Sequence, residues 1–123
     1  MAGQPVHLEI PAADTAKATA FYASLFGWQF QAYEGSPSEY LMTRFSETSG
    51  GAIHKPDGAK QGMRVYFDVD DIRAGAARVR ELGREAGDAM SVPEMGWFAY
   101  CTDVVGNEFG LWQNDPSASM QPG

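Results

Sequence analysis

A chain of 123 residues with 44% hydrophobic content has the length and composition of one compact domain able to bury a core. Sixteen acidic side chains against nine basic ones give a formal charge of −7, which disfavours nucleic-acid phosphates and anionic membranes as partners, and no apolar run approaches the roughly 20 residues of a membrane span. One cysteine, Cys101, cannot form an intramolecular disulfide, and the N-terminal stretch lacks the basic-then-apolar order of a secretion signal, so the expected compartment is the cytoplasm.

Val6, Leu8 and Ile10 alternate with His7 and Glu9, the pattern of a strand with one core face and one chemical face. Pro11 ends that strand and Asp14 is placed to cap a helix, in which Ala18, Phe21, Tyr22 and Leu25 form the core-facing stripe and Gly27 closes the last turn. Three strand candidates follow: Trp28 to Tyr33, Tyr40 to Phe45, and Gly51 to His54, separated by turn-forming clusters. The polar, glycine-rich segment 55–62 reads as a mobile connection.

From Arg64 the same succession returns at a constant offset of 57 positions: Arg64 falls on His7, Tyr66 on Glu9, Asp71 on Asp14 and Leu82 on Leu25. Val65, Phe67 and Val69 alternate with Arg64, Tyr66 and Asp68, and Ile72, Ala76, Val79 and Leu82 or Gly83 keep a helical stripe. Segments 88–92, 96–102 and 108–113 supply three more strands, and the tail 114–123 reads as flexible. The order of elements repeats, which predicts an α+β fold made of two βαβββ modules in a single domain over 1–123. Module one covers about 5–54, the connecting loop 55–62, and module two about 63–113.

With Phe21-Tyr22 through Phe26-Gly27-Trp28, Val69-Asp70-Asp71, Asp103 to Asn107 and Phe109 to Gln113 in this order, the chain resembles the vicinal oxygen chelate superfamily of glyoxalases, bleomycin-resistance proteins and extradiol dioxygenases. The ending at Gln113 resembles a subgroup related to lactoylglutathione lyase. The resemblance implies that each module curls a mixed sheet into a U-shaped cavity, and that a divalent ion such as Ni, Zn, Fe or Mn is held by the first and last strands of both modules. It also implies a homodimer. Of the implied ligand positions His7 is intact, Arg64 carries a guanidinium that cannot ligate a metal, Gly110 has no donor, and the fourth position falls near Gly50 or Gly51. The expected cofactor is therefore none, with His7, Glu9, Glu108 and His54 as the fallback metal set.

The remaining chemistry favours a small-molecule ligand or substrate. His7 is the candidate general base and Glu9 its orienter. Arg64 suits an anionic group, with an ion pair to Glu9, Asp68 or Glu108 as the plainer reading. Tyr66, Trp97, Phe98, Tyr100, Glu108 and Trp112 are the other binding candidates, since aromatic walls with a few polar groups describe a small-molecule pocket. Gly110 is expected to leave space beside them. Cys101, without a basic neighbour in sequence, reads as an inert thiol. Three readings compete: a metal-independent binding protein or enzyme, a metal-dependent lyase, isomerase or dioxygenase, and a non-catalytic accessory domain.

Overall fold

The computed structural model describes residues 2–36, 38–56 and 62–118. Among the described residues eight strands and two helices run in the order β1 Pro5–Pro11, α1 Thr15–Phe26, β2 Gln31–Ala32, β3 Tyr40–Arg44, β4 Gly50–His54, β5 Arg64–Asp68, α2 Ile72–Glu81, β6 Met90–Val92, β7 Gly96–Thr102 and β8 Glu108–Asn114. This is the expected α+β succession, with each βαβββ copy present. The chain packs as two units whose border differs slightly from the repeat: His7–Arg64 form the first, and Met1–Val6 join Val65–Gly123 in the second. Arg64 opens the second copy in sequence yet belongs with the first in space. Gly3 and Gln4 belong with the second, where Gly3 N–H donates to Asp68 O and Asp68 N–H to Gln4 O, each at 2.8 Å.

In the first unit the strands lie in the order β2-β3-β4-β1. β4 runs parallel to β1, with Glu9 opposite Ala52, and antiparallel to β3, with Tyr40 opposite His54 and Met42 opposite Ala52. Ile10, Ala52 and Ile53 are its buried apolar centre. Asp14 caps α1 by accepting from Lys17 N–H at 2.9 Å, and Gly27, at φ 75°, takes the left-handed conformation that ends the helix. The expected core stripe of α1 is not a core. Phe21 is 60% exposed and Leu25 57% exposed, and within the helix only Thr15 is buried. The strand expected over Trp28 to Tyr33 shrinks to two residues, because Trp28 stacks on Tyr22 at 5.2 Å and lies 4.7 Å from Phe45 instead of extending the ladder.

In the second unit the order is β5-β8-β7-β6, with β5 parallel to β8 and the other pairs antiparallel. Here the helix seats fully. Ile72 is 1% exposed and packs with Ala99, Cys101 and Leu111, while Val69, Val79 and Phe109 close around them. Asp71 accepts from Arg73 and Ala74 N–H at 3.0 and 3.1 Å, and the Gln113 side chain accepts from Ile72 N–H at 2.8 Å, so the start of α2 is tied to both its cap and β8. Leu82, expected in the stripe, is exposed at the C-cap.

The tail departs from expectation at its start. Residues 114–118 are packed: Asp115 N–H donates to Met95 O at 2.9 Å, Trp97 Nε1–H donates to Asp115 Oδ2 at 3.0 Å, and Ala118 is buried. Residues 119–123, and 57–61 of the expected mobile connection, lie outside the described part.

Candidate functional site

Strand alternation turns His7 and Glu9 of β1 away from Leu8 and Ile10, and the register brings Ala52 and His54 of β4 and Tyr40 and Met42 of β3 onto the same face. A continuous polar chain runs across it. His7 Nε2 lies 2.7 Å from the Tyr40 hydroxyl, Tyr40 donates to Glu9 Oε2 at 2.7 Å, and Arg64 Nη1 donates to Glu9 Oε1 at 2.9 Å. Glu9 and Arg64 are both buried. His54, also buried, stacks its ring 5.8 Å from that of Tyr40 and donates through Nδ1 to Lys55 O at 2.7 Å.

The chain of bonds favours one tautomer of His7. A carboxylate paired with a guanidinium accepts hydrogen bonds and does not donate them. Tyr40 therefore gives its one proton to Glu9 and receives the Nε2–H of His7, which leaves the basic lone pair on Nδ1. Burial pushes the His7 pKa below the ordinary 6.5; the Glu9 charge opposes that shift and His54 adds to it. His7 is thus held in one orientation, with burial favouring its neutral form. The link between His7 and Glu9 that the sequence suggested exists, but it passes through Tyr40, which the sequence reading took only as the start of a strand. Tyr40 stands across the antiparallel pair from His54, a register that local sequence does not announce.

Arg64 takes the plainer of its two expected roles, the ion pair with Glu9. The aromatic candidates divide by strand face in the second unit. Tyr66 pairs with Gly110, Tyr100 with Gly110, and Phe98 with Trp112, so these side chains share the face turned away from α2. Phe98 and Tyr100 meet edge-on at 5.4 Å, and Tyr66 lies 6.4 Å from each. Trp97 does not join them. It sits on the opposite face against the α2 core, under the Arg73 guanidinium at 5.4 Å, so its assignment to ligand binding is corrected to packing. Glu108 is exposed at the start of β8. Cys101 is buried and burial pushes its thiol upward, which keeps it protonated and unreactive at neutral pH.

Two observations bear on the metal that the superfamily resemblance implies. Arg64, standing where a ligand is implied, holds Glu9 with a fixed positive charge. Gly110, the second implied position, leaves no space: a Cβ there would lie 2.1 Å from Tyr66 Cδ2 and 2.8 Å from its Cγ. The ring of Tyr66 fills what was expected to be room for a ligand. Among the described residues no three His, Cys, Asp or Glu side chains group to hold an ion, so the fallback set of His7, Glu9, Glu108 and His54 does not assemble. The residues present do not fit the inherited metal site.

The profile of the Glyoxalase-like domain matches residues 6–112. The chain belongs to this family. As a glyoxalase-like domain it is similar to a glyoxylase-like domain-containing protein of Didymella fabae, 34% identical over 120 residues that cover 89% of this chain and 92% of that protein. It is also 31% identical, over 119 residues, to proteins of Mycobacterium bovis and Mycobacterium tuberculosis that bear the provisional name glyoxylase CFP32, covering 90% of this chain but 46% of theirs. Among solved structures it shares its fold with a Streptomyces coelicolor methylmalonyl-CoA epimerase bound to 2-nitronate-propionyl-CoA, at TM-score 0.73 and 17% identity, covering 97% of this chain and 99% of the other. The methylmalonyl-CoA epimerase of Mycobacterium tuberculosis aligns at TM-score 0.70 and 16% identity over 92% of this chain and 89% of the other. At such identities these structures speak for the fold of the glyoxalase-like domain and not for its reaction. No helix among the described residues is long and apolar enough to cross a membrane.

Proposed function

We propose that this glyoxalase-like domain binds a small organic compound and moves a proton on it without a metal ion, with Nδ1 of His7 as the base. The observation that carries this reading is the His7–Tyr40–Glu9–Arg64 chain, which favours a neutral imidazole in one tautomer beside a buried, charge-compensated carboxylate. A base of this kind suits removal of an acidic C–H proton next to a carbonyl, because a general base must be unprotonated at the working pH, works best when its pKa lies near that pH, and gains from a lone pair held in place. Tyr40 and Glu9 are positioning residues in this scheme. Arg64 stabilises the Glu9 carboxylate, so the pair presents little net charge and the ligand is held chiefly by shape and apolar contact. Within the second unit, the Tyr66, Phe98, Tyr100 and Trp112 face is by itself a surface suited to an apolar ligand. The CoA esters that occupy the structurally similar epimerases make CoA thioesters a rational first panel, with 2-oxo acids beside them.

The test is hydrogen exchange into each panel compound in deuterated buffer, followed by NMR. The native chain is expected to exchange at least one class, His7→Ala to lose that exchange by about a hundredfold or more while binding changes little, and Tyr40→Phe to lower kcat more than it raises KM. Treatment with a chelator should leave the rate unchanged. Exchange that disappears with chelator and returns with Ni, Zn, Fe or Mn would overturn the metal-independent reading. Binding without exchange in any class favours the second reading, sequestration, for which the aromatic face alone is sufficient.

A further inference from the structure

One hydrogen bond of the first unit lies outside the polar chain and is not used by the chemistry proposed above. Thr15 is the one buried residue of α1, and its hydroxyl donates to Glu39 Oε1 at 2.5 Å. Glu39 is exposed and directly precedes Tyr40, the phenol through which His7 reaches Glu9. Successive side chains of an extended chain point to opposite sides, so Glu39 reaches toward α1 while Tyr40 reaches toward His7 and Glu9. Shortly before Thr15, Ala12 N–H donates to His54 O at 2.8 Å, which holds the run from β1 into α1 against β4.

These bonds close a ring. From Glu9 the chain passes through Pro11 and the Asp14 cap to Thr15, crosses by hydrogen bond to Glu39, moves one residue to Tyr40, and returns through the phenol to Glu9 at 2.7 Å. The Tyr40 main chain is held as well, since its carbonyl accepts from Tyr33 N–H at 2.9 Å. A side chain that must meet two partners at hydrogen-bond distance tolerates a displacement of no more than about 0.5 Å, and neighbours that lock it in place supply that precision. Tyr40 is the first residue of β3, where the strand emerges from a turn, and Glu39 ties that entry to the first turn of α1. We propose that Thr15 and Glu39 are positioning residues, whose hydrogen bond sets the Tyr40 phenol against His7 and Glu9 and so maintains the Nδ1 lone pair as the base. The consequence for catalysis rests on the proton-transfer reading above; the placement of Tyr40 does not.

The test is nitrogen-15 NMR of the His7 ring in the native chain, Thr15→Val, Thr15→Ser and Glu39→Ala, with circular dichroism to check the fold. Thr15→Val, which keeps the branched shape and removes the donor, should turn the single Nε2–H signal into a mixture of tautomers, while Thr15→Ser keeps the native signal. Glu39→Ala, at an exposed position, should act in the same direction and replaces Thr15→Val should that variant fail to fold. Combined, the two should change the signal no more than either alone. In hydrogen exchange into a panel compound, Thr15→Val should lower kcat about tenfold with little change in KM, and Thr15→Ser should keep most of the native rate. A folded Thr15→Val or Glu39→Ala with the native His7 signal, equal damage from Thr15→Ser and Thr15→Val, or additive effects would overturn the proposal. A chain that shows the Nε2–H tautomer and loses it in both variants, yet exchanges no compound, supports the positioning and counts against the proposed reaction alone.

Discussion

The two units descend from one pattern and have put different residues at its matched positions. Where the first sequence copy has His7 and Glu9 on the chemical face of its opening strand, the second copy has Arg64 and Tyr66, and these exchanges separate their chemistry. Arg64, which packs within the first unit, neutralises Glu9; Tyr66 lies over Gly110 and closes the space an acidic ligand would need. The first unit thus acquires a polar chain of acid, phenol and imidazole, and the second a face of aromatic rings. The helices diverge in the opposite sense. α2 is seated on its sheet through Ile72 and Ala76, while α1 leaves its aromatic residues in the open. One framework tolerates both outcomes because the strand ladders and the two aspartate caps, which the copies share, do not depend on what the outer faces carry.

The comparison can be broken most strongly at its ion pair. Arg64→Met should cost about 3–5 kcal/mol in chemical denaturation, because it strands a buried carboxylate, whereas Glu9→Met combined with Arg64→Met should recover most of that loss. A single variant as mild as the pair would mean that the Glu9 and Arg64 charges are not dependent on one another. The helices give the next contrast. Ile72→Ala should destabilise by about 2–5 kcal/mol and Leu25→Ala by no more than about 0.5 kcal/mol at concentrations where the chain is monomeric. Equal losses would show α1 to be seated as α2 is. Gly110→Ala should cost about 1–3 kcal/mol through its clash with the Tyr66 ring, and should cost less in a Tyr66→Ala background. The smallest effect is that of pH. Because the folded His7 pKa is lowered, the unfolded chain binds the extra proton more readily; the native chain keeps the full contribution above about pH 6.5 and loses it as pH falls from there through the folded value. His7→Gln should flatten that part of the stability profile relative to the native chain.

The repeat made the fold readable. Alternation placed His7 and Glu9 on one face, Asp14 and Asp71 announced both helices, and Gly27 marked the end of the first, all of which depend on local chemistry. What stayed hidden depended on pairing. Nothing in the sequence says that Tyr40 stands opposite His54, since that register is set by the turn in which Phe45 N–H reaches Ser49 O at 2.9 Å. The space at Gly110 was misjudged for the same reason: only the pairing of β5 with β8 reveals the ring above it. The α1 stripe was misjudged because periodicity reports an apolar face without saying what covers it. Trp97 could not be told from Phe98 until its strand was placed, after which its parity put it on the helix side.

Nitrogen-15 NMR of the imidazole rings across pH 4 to 9 reaches the central claim most directly, since it reads the tautomer and the protonation of His7 together. The account predicts a neutral His7 with its proton on Nε2 and a titration midpoint below the ordinary 6.5. In Tyr40→Phe the single-tautomer signal should give way to a mixture. A His7 that carries its proton on Nδ1, or that titrates above 6.5, would contradict the assignment of Nδ1 as the base.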